Sequence, residues 1–572
     1  MALIARCNLP LNCVTWPEFH ALIRAINHAA TDALPRSPTT IAVRLQKQFE
    51  LQKEHVKLDL QQSQSLIHFN VDAWTSPNHI EFLAIVGKYI NSEGQHQKAL
   101  LALPELPQGH AGAECAPYVL RAIEEFGIQE KVGYITSDNA GCNDTMGIAI
   151  QQGLAKLDPP IEWDAVEHRT RCNGHCINLT CQAFMACPNE YSVNKAITES
   201  QQARALLPPD EILALQDEDK AGWGQQPAIL TIRDFFIWIR SSTARYNAFL
   251  AHAHLAPVLM NDTRWNTWYL MLNRFLETIT TYRHFLDTYD CERFTLEESD
   301  ITLIRETVEF LQPFYEITKR TEGDEVTLES MLETMDFLRS HFDRAHSRFV
   351  TNTALLAAIK TSWYAFDKWF RATDNTPVYA AALLLHPTHR KAYLIKHWQK
   401  EWINPAITKA RQLWITRYKD KVTPLSVTAA LEAAPTLEPS TYELWQRSNR
   451  VDLLKPKDDE FDRFIHQPQC LTANPIEWWL EPTQQRDYPN LAKMAIDLLS
   501  IPPMSAEAER VFSGGRRTIS WERASLGYQT IERLECMKHW HKNELTSSEQ
   551  LPMLDEIYGL ETPSDAVTAS KS

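Results

Sequence analysis

Apolar runs between positions 63 and 188 follow a single order, β-β-β-α-β-α-β-α. Three strand-like runs joined by short links come first, and helical patterns then alternate with strands. This order predicts a mixed sheet that is covered by helices. The predicted strands are Leu66–Val71, Phe82–Ile90, Ala99–Leu103, Val132–Thr136 and Glu162–Val166, and the predicted helices are Pro117–Phe126, with its proline near the first turn, Asp144–Leu157 and His175–Met185.

An aspartate stands at the end of two of these strands. Asp72 ends the first strand and Asp138 follows the fourth. The element order is that of a ribonuclease-H-like core, in which the ends of the first and fourth strands lie side by side. We therefore expect the carboxylates of Asp72 and Asp138 to be neighbours. The alternative interpretation of both residues is that of turn acids with a structural role only.

Strand character is lost after residue 188, and helical spacing replaces it. The apolar positions from Trp268 to Tyr282 follow one helical face, for example. The predicted fold class is therefore α/β plus all-α, a ribonuclease-H-like mixed-sheet core interrupted by a large helical insertion domain. The predicted parts are a helical N-terminal region (1–62), the first part of the core (63–188), an all-α insertion (189–486), the completion of the core (487–545) and a tail (546–572) whose end we expect to be disordered.

Composition narrows the class of protein. The sequence contains no apolar run of about 18 residues, so no transmembrane helix is expected, and the first residues do not have the pattern of a secretory signal. Eleven scattered cysteines are typical of reduced thiols in an intracellular protein.

A formal net charge of −15 argues against nucleic-acid binding by bulk charge. A local basic groove, lined by His168–Arg171 and by Arg510–Arg523, remains compatible with that charge.

Two acids and a group of arginines lie close together near the C-terminus. Ile501-Pro502-Pro503 predicts the end of one helix, and Ser505 is a good N-cap for the next. That helix carries Glu507 and Glu509, with arginines at 510, 516, 517 and 523. Taken alone, this stretch has the pattern of a solvated helix face. Together with two strand-end aspartates, however, a late helical glutamate is the donor set that holds divalent metal ions.

Several motifs resemble transposases of the hAT superfamily, the hobo and Activator type, and especially their fungal branch. The motifs are Asp72–Asn78, Ser137–Asp144, Cys172–Leu179, Thr263–Thr267, Tyr488–Ala492 and Pro503–Ser513, and the resemblance covers roughly residues 15–545. It implies a catalytic triad of Asp72, Asp138 and Glu509. Glu509 is preferred to Glu507 because the family pattern places the acid directly before Arg-x-Phe-Ser. The motifs also include Trp74, Asn139 and Cys172, and the family's dimerisation region would fall at about residues 455–541.

The implied chemistry is DNA strand cleavage and transfer. Two Mg²⁺ or Mn²⁺ ions roughly 3.5–4 Å apart can activate the attacking oxygen and stabilise the leaving oxygen of an in-line displacement at phosphorus. Such ions prefer carboxylate oxygens to thiols. Asp72 would bridge both ions, whereas Asp138 and Glu509 would each hold one. The mutual repulsion of three carboxylates would be relieved by the ions.

DNA contacts are predicted at six residues, each with a second interpretation. His175 could contact phosphate or the metal shell, or could be a helix N-terminal histidine beside the buried Cys172. Trp265, after Arg264, could stack on an unpaired base, which is worth about 1–3 kcal/mol, or could be a core aromatic. Arg510, Arg516 and Arg517 could face phosphate or solvent. Zinc is not expected, because no second tight Cys/His pair accompanies Cys172 and His175 at ribbon spacing.

The predicted function is therefore that of a nuclear hAT-type transposase that acts on transposon terminal repeats and target DNA as a homodimer or higher oligomer. The alternative is a catalytically silent or domesticated derivative that acts as a dimerising DNA- or protein-binding module. Family members usually begin with a BED-type zinc finger, and the sequence shows no such pattern. Neither interpretation involves a membrane.

Overall fold

The computed structural model describes residues 2–28, 34–35, 37–76, 78–107, 109, 111–187, 226–260, 265–323, 326–421, 459–519 and 526–546. The chain divides into two compact units. The first unit comprises Met1–His168 and Ser505–Ser572, and the second unit comprises Arg169–Met504. Among the helices so described, none has the length and apolar content that a membrane span requires.

The sheet is mixed, as the order of the elements predicts. Its strands are β1 (Ile67–Thr75), β2 (Glu81–Ile90), β3 (His96–Ala102), β4 (Val132–Ser137) and β5 (Arg169–Arg171), in the spatial order β3-β2-β1-β4-β5. Strand β2 is antiparallel to both β1 and β3, whereas β1 and β4 are parallel. The parallel pair at the centre of the sheet places the ends of β1 and β4 at the same edge.

Helices account for most of the remaining described chain. In chain order they are α1 (Ala2–Arg6), α2 (Pro17–Ile26), α3 (Pro38–Gln61), α4 (Gly112–Phe126), α5 (Gly141–Leu154), α6 (Asn173–Met185), α7 (Pro227–Arg240), α8 (Thr243–Ala253), α9 (Trp265–Glu277), α10 (Ile279–Thr288) and α11 (Glu298–Thr321). They continue with α12 (Glu329–Arg348), α13 (Thr353–Ala372), α14 (Val378–Leu385), α15 (Arg390–His397), α16 (Lys400–Leu413), α17 (Glu460–Ile465), α18 (Pro475–Leu480), α19 (Pro482–Asp487), α20 (Pro489–Leu499), α21 (Ala506–Thr518) and α22 (Tyr528–Lys542).

The predicted strand at Glu162–Val166 is wrong. These residues form a turn in which the Asp164 carboxylate accepts the backbone N–H groups of Val166 (2.9 Å) and Glu167 (2.8 Å). An aspartate that bonds to the backbone two residues ahead favours a turn over an extended strand. The last strand of the sheet is therefore β5, which begins beyond this turn.

Helix α4 begins before its predicted start, so Pro117 lies inside the helix rather than in its first turn. The additional turn packs tightly on α5, since a Cβ atom at Gly112 would lie 1.8 Å from the carbonyl oxygen of Cys142. Glycine is therefore required at this helix contact.

The helical pattern from Trp268 to Tyr282 belongs to two helices, α9 and α10, which are separated at Thr278.

One hydrophobic core joins both ends of the chain in the first unit. It contains residues of α3, the sheet, α4, α5, α21 and α22. The ring of Phe49 stacks on that of Trp540 with a centroid separation of 5.3 Å, and Trp540 has no exposed surface. The C-terminal helices therefore complete the core that the N-terminal residues begin.

The second unit is helical apart from β5 and extends beyond the predicted insertion of 189–486. Helix α6 belongs to it because the Ser362 hydroxyl of α13 donates to the Thr180 carbonyl (2.9 Å). Helix α20 belongs to it because the Leu491 N–H donates to the Glu460 carboxylate (2.8 Å). The predicted end of the tail, within 546–572, lies outside the described residues except for residue 546.

Candidate active site

Parallel pairing of β1 and β4 brings the two aspartates to one edge of the sheet. The ladder pairs Asn70 with Thr136. Asp72 and Asp138 each come two residues later, where both strands run in the same direction. Because side chains two residues apart point to the same face of a strand, this register supports the expected proximity of the two carboxylates.

Helix α21 brings the third acid to the same part of the first unit. The Trp74 ring stacks on Phe512 with a centroid separation of 5.5 Å, and it lies 3.4 Å from the position of a Cβ atom built on Gly515. Glu509 is three residues before Phe512 and therefore shares its helix face. Asp72 is two residues before Trp74 and shares its strand face. The aromatic contact thus aligns Glu509 with Asp72.

The pKa of Asp72 is raised in this environment, where other carboxylates lie nearby. Burial and the nearby carboxylates of Asp138 and Glu509 raise it to about 7, against the lowering effect of the Ala73 N–H. That N–H donates to Oδ1 of Asp72 at 2.9 Å. The side chain of Glu509 is exposed, and those of Asp72 and Asp138 are half-buried. Asp138 and Glu509 therefore both act electrostatically on Asp72, and all three side chains retain some contact with solvent.

The orientation of Asp138 is fixed by the first turn of α5. Its Oδ1 atom accepts the Ala140 N–H at 3.0 Å and also accepts the side-chain amide of Asn143. Sequence reasoning treated Asn143 only as part of a motif, although an amide five residues after an aspartate in a turn is a recognisable partner. Asn139, another motif residue, is half-buried in this turn.

Glu507 has a different environment from Glu509. It is buried, and its Oε2 atom accepts from Lys98 Nζ (2.9 Å) and Arg510 Nη1 (2.7 Å). His539 accepts the Leu100 N–H at Nδ1 (3.2 Å), so its Nε2–H donates to Oε1 of Glu507 (3.3 Å).

These contacts also control the ionisation of Glu507. Burial by itself would raise the pKa of this carboxyl, but the hydrogen bond from His539 and the charge of Lys98 hold it well below its usual range. Glu507 therefore ties α21 to β3 and α22 as an ionised structural acid. Sequence reasoning missed this function because Lys98 and His539 are distant in sequence.

The donor atoms of the three acids suit a hard divalent cation. Carboxylate oxygens are the preferred ligands of Mg²⁺ and Mn²⁺, and a cation would offset the repulsion that raises the pKa of Asp72. Within the described ranges, no three His, Cys, Asp or Glu side chains form a ready-made metal cluster. The carboxylates would therefore have to converge further to hold an ion.

Comparison with known proteins finds two matching stretches and several relatives that align with most of this chain. Residues 459–541 match the hAT family C-terminal dimerisation region, and residues 70–160 match the ZBED1 RNase-like domain. The "Putative AC9 transposase" of Zea mays is 20% identical over 549 residues, which cover 86% of this chain and 59% of the maize protein. These stretches and relatives are what the chain is similar to: proteins of the hAT superfamily.

Other relatives of this chain have different names. The "Putative transcriptional regulator tpeD" of Talaromyces stipitatus is 22% identical over 568 residues, covering 97% of this chain and 62% of that protein. The Arabidopsis thaliana protein "Zinc finger BED domain-containing protein DAYSLEEPER" is 26% identical over 294 residues, covering 49% of this chain and 40% of that protein. The chain spans about three fifths of the length of the first relatives it matches.

The arginines that the hAT pattern places after Glu509 occupy different environments. Arg510 is half-buried and ion-paired with Glu507, whereas Arg516 and Arg517 are exposed in the last turn of α21. Both exposed guanidinium groups are accessible to a phosphate. Arg264 and Arg523 lie outside the described residues.

In the second unit, the hAT motif residues form parts of helix ends. Cys172 is the buried N-cap residue of α6, and His175 is half-buried in the first turn, an arrangement that matches the structural interpretation of this pair. Trp265 begins α9, is 5% exposed and packs edge-to-face on Phe314 (6.5 Å). This is the environment of a core aromatic. Stacking of Trp265 on a base would require the start of α9 to open.

Proposed function

We propose that the chain contains the catalytic core of a hAT-type transposase, which cleaves and transfers DNA strands with an Asp-Asp-Glu triad on a ribonuclease-H-like sheet. One observation carries the proposal. Asp72 at the end of β1 has its pKa raised to about 7 by burial and by the carboxylates of Asp138 and Glu509. Perturbed acids that converge from distant parts of a chain are typical of catalytic sites.

Asp72, Asp138 and Glu509 would hold two Mg²⁺ or Mn²⁺ ions. Such ions activate the attacking oxygen and stabilise the leaving oxygen at phosphorus. The chain itself orients the ligands: Asn143 and the Ala140 N–H hold Asp138, and the contact of Trp74 with Phe512 fixes the helix face that carries Glu509. The buried ion pairs of Glu507 keep this helix attached to the sheet.

The substrate in this proposal is duplex DNA with transposon terminal repeats, together with a target DNA. Arg516 and Arg517, which are exposed on the same helix as Glu509, would contact phosphate. A local basic surface of this kind is compatible with a net charge of −15. Action on DNA would take place in the nucleus, and the matched dimerisation region supports self-association.

Strand cleavage tests the proposal. Purified protein is incubated with Mn²⁺ and a duplex that bears the terminal repeat of its own element, beside Asp72→Asn, Asp138→Asn and Glu509→Gln. We expect cleavage by the parent and a loss of at least about 100-fold in each variant, since each removes an interaction with the reacting centre. Asp234→Asn, at an exposed acid of α7, is the matched control and should cleave as the parent does. Equal cleavage by parent and triad variants would refute the assignment.

The second candidate function is that of a transposase-derived regulator that binds DNA or protein without cutting. The name of the Talaromyces relative, which aligns with 97% of this chain, favours it. Under this proposal the parent and Asp72→Asn proteins bind the same DNA with the same affinity, and neither cleaves. Gel-shift titration of both proteins beside the cleavage assay distinguishes the two candidates.

A further inference from the structure

The part of the second unit that runs from α12 to just after α16 is strongly basic, although the chain is acidic. Residues 339–421 contain fifteen Lys and Arg and five Asp and Glu, a formal charge of +10, whereas the whole chain has a formal charge of −15. Nine of these cationic side chains are exposed, five are half-buried, and Arg390 is buried. Charges of one sign that are collected in this way create a local potential, which the net charge of the chain conceals.

Trp402 lies in this basic part, where three helices meet. The Arg339 guanidinium of α12 lies 4.7 Å from the centroid of the Trp402 ring. Phe370 of α13 packs edge-to-face on the same ring, with a centroid separation of 6.4 Å. Trp402 is nevertheless 38% exposed. Part of the indole is therefore accessible to a ligand, and it lies beside a cation.

Two lysines of α16 and an arginine of α13 flank this tryptophan. Lys409 is seven residues after Trp402, which places both on one face of α16, and its Nζ donates to the Asp374 carbonyl just beyond α13 (2.9 Å). Lys400 begins α16. Arg371 is in the last turn of α13, and 62% of its side chain is exposed. We call these residues the basic face, which consists of Arg339, Arg371, Lys400, Trp402 and Lys409.

The connection between α15 and α16 is fixed to α12. Asp336, which is buried one turn before Arg339, accepts hydrogen bonds from the Trp398 Nε1–H (2.8 Å) and the Tyr393 hydroxyl (3.0 Å). Both donors belong to α15 or its C-cap, so these bonds hold the start of α16 near Arg339. Groups that are ordered before binding lose less conformational entropy when a ligand arrives.

Most of the charge on the basic face is not neutralised by acids of the described chain. Arg371 pairs with Asp367 at 2.7 Å, and an exposed pair of this kind is weak. Arg339 lies over an indole and Lys409 donates to a carbonyl, but neither forms an ion pair with a described residue. The same holds for Lys400. These cations therefore remain available to an external anion.

Duplex DNA is the partner that this chemistry fits. Lys and Arg side chains contact phosphates without reading sequence, and the release of counterions favours binding. Trp402 and Lys409 are about 10 Å apart along the axis of α16, which is the length of about three base pairs. An indole between cations can also pack on a base or sugar. An acidic polypeptide would offer similar charge without this regular spacing.

We propose that the basic face binds the phosphate backbone of duplex DNA independently of its sequence. The inference rests on the proposed function for the choice of DNA as the ligand. It gives the second unit a DNA contact of its own, separate from Arg516 and Arg517 in the first unit. Loss of this contact should weaken the binding of every duplex alike.

Fluorescence anisotropy with a labelled duplex of random sequence tests the contact on the full chain, in EDTA and at several salt concentrations. The triple variant Arg339→Gln, Lys400→Gln, Lys409→Gln should bind at least about tenfold more weakly than the parent at low salt. The slope of log affinity against log salt concentration should also be smaller by about 2.7, because each lost phosphate contact contributes about 0.9.

A second triple variant is the matched control. Arg233→Gln, Arg283→Gln, Arg293→Gln removes the same charge from the same unit, at exposed or half-buried positions outside the basic face. This variant should bind the duplex as the parent does. The double variant Lys400→Gln, Lys409→Gln changes exposed side chains only and should show an intermediate loss. It keeps the test independent of any change in packing at Arg339.

Intrinsic fluorescence provides a second readout at the basic face. Binding of the duplex should quench part of the tryptophan emission of the parent, and that part should be missing in Trp402→Phe, which retains an aromatic ring. Trp16→Phe is the matched control, since Trp16 is also 38% exposed but lies in the first unit. It should retain the quenching.

Several results would overturn the proposal. These are a parent that does not bind the duplex at low salt, equal binding by the parent and the basic-face triple variant, an equal loss in the control triple variant, and quenching that persists in Trp402→Phe. Labelled polyglutamate that binds the basic face as tightly as DNA would identify an acidic protein as the partner instead. Binding in EDTA does not require the acidic triad, so failure of strand cleavage alone would count against the proposed function and leave this contact intact.

Discussion

Two glutamates two residues apart on one helix have opposite functions because their surroundings differ. Glu507 faces Lys98, Arg510 and His539, so its charge is paired and buried. Glu509 is exposed and raises the pKa of Asp72. A charged pair this deeply buried stabilises the fold only while every partner is present. At the scale of single residues, burial therefore distinguishes the structural acid from the candidate catalytic one.

The raised pKa of Asp72 predicts a stability change with pH. Ionisation of this carboxyl is unfavourable in the folded protein, so its cost is absent below the ordinary pKa of 3.8 and grows as pH rises towards about 7. Asp72→Asn should therefore be more stable than the parent by about 1–3 kcal/mol at pH 8 and similar to it at pH 4. Urea unfolding at the two pH values measures the difference.

At pH 8, Mn²⁺ should make the parent more stable than Asp72→Asn, which reverses the order of stability without metal. A cation that binds the folded parent adds stability, whereas the neutral amide of the Asp72→Asn variant lacks the charge that holds the cation. The unfolding midpoint of the parent should therefore rise with Mn²⁺ and that of Asp72→Asn should not. A parent that is more stable than the variant at pH 8 without metal would contradict the electrostatic argument.

At the scale of elements, the sequence correctly predicts those helices and strands whose positions depend on local sequence patterns. The central strands, α3, α6 and the start of α21 after Ser505 follow from periodicity and from proline and capping signals. The fifth strand was misplaced because the Asp164 side chain, rather than periodicity, decides the conformation there. Partners that are distant in the sequence, such as Lys98 for Glu507, leave no pattern in the local sequence. The ion pair that attaches α21 to β3 is therefore visible only in the structure.

The contact between β1 and α21 gives a prediction at this scale. Trp74→Ala removes the stack on Phe512 and the contact over Gly515, and should destabilise the first unit by about 2–4 kcal/mol. It should also weaken Mn²⁺ binding, because Glu509 loses its alignment with Asp72. Trp74→Phe keeps a ring in place and should retain most of both properties. Isothermal titration with Mn²⁺ and urea unfolding provide the measurements; equal Mn²⁺ affinity in Trp74→Ala would show that the stack does not position Glu509.

For the whole molecule, the decisive feature is that the C-terminal helices complete a core begun by the N-terminal residues. The sequence analysis expected residues 487–545 to complete the core, because the late helical Glu509 would join the two strand-end aspartates. The division at residues 168 and 505 was not predicted, because packing of α6 and α20 with other helices decides it. The first unit is therefore discontinuous in sequence, and its two segments should unfold together.

Trp540→Ala tests that coupling. The indole stacks on Phe49 at 5.3 Å and its Nε1–H donates to the Leu100 carbonyl at 2.9 Å, so it joins α22 to both α3 and β3. Loss of this fully buried ring should cost the first unit about 3–5 kcal/mol. In hydrogen–deuterium exchange, α3, β3 and α22 should lose protection together, whereas α13 of the second unit should retain it, because each unit has its own core. Loss of protection confined to α22 would mean that the N-terminal segment is stable without its C-terminal complement, and loss in α13 as well would mean that the units unfold as one.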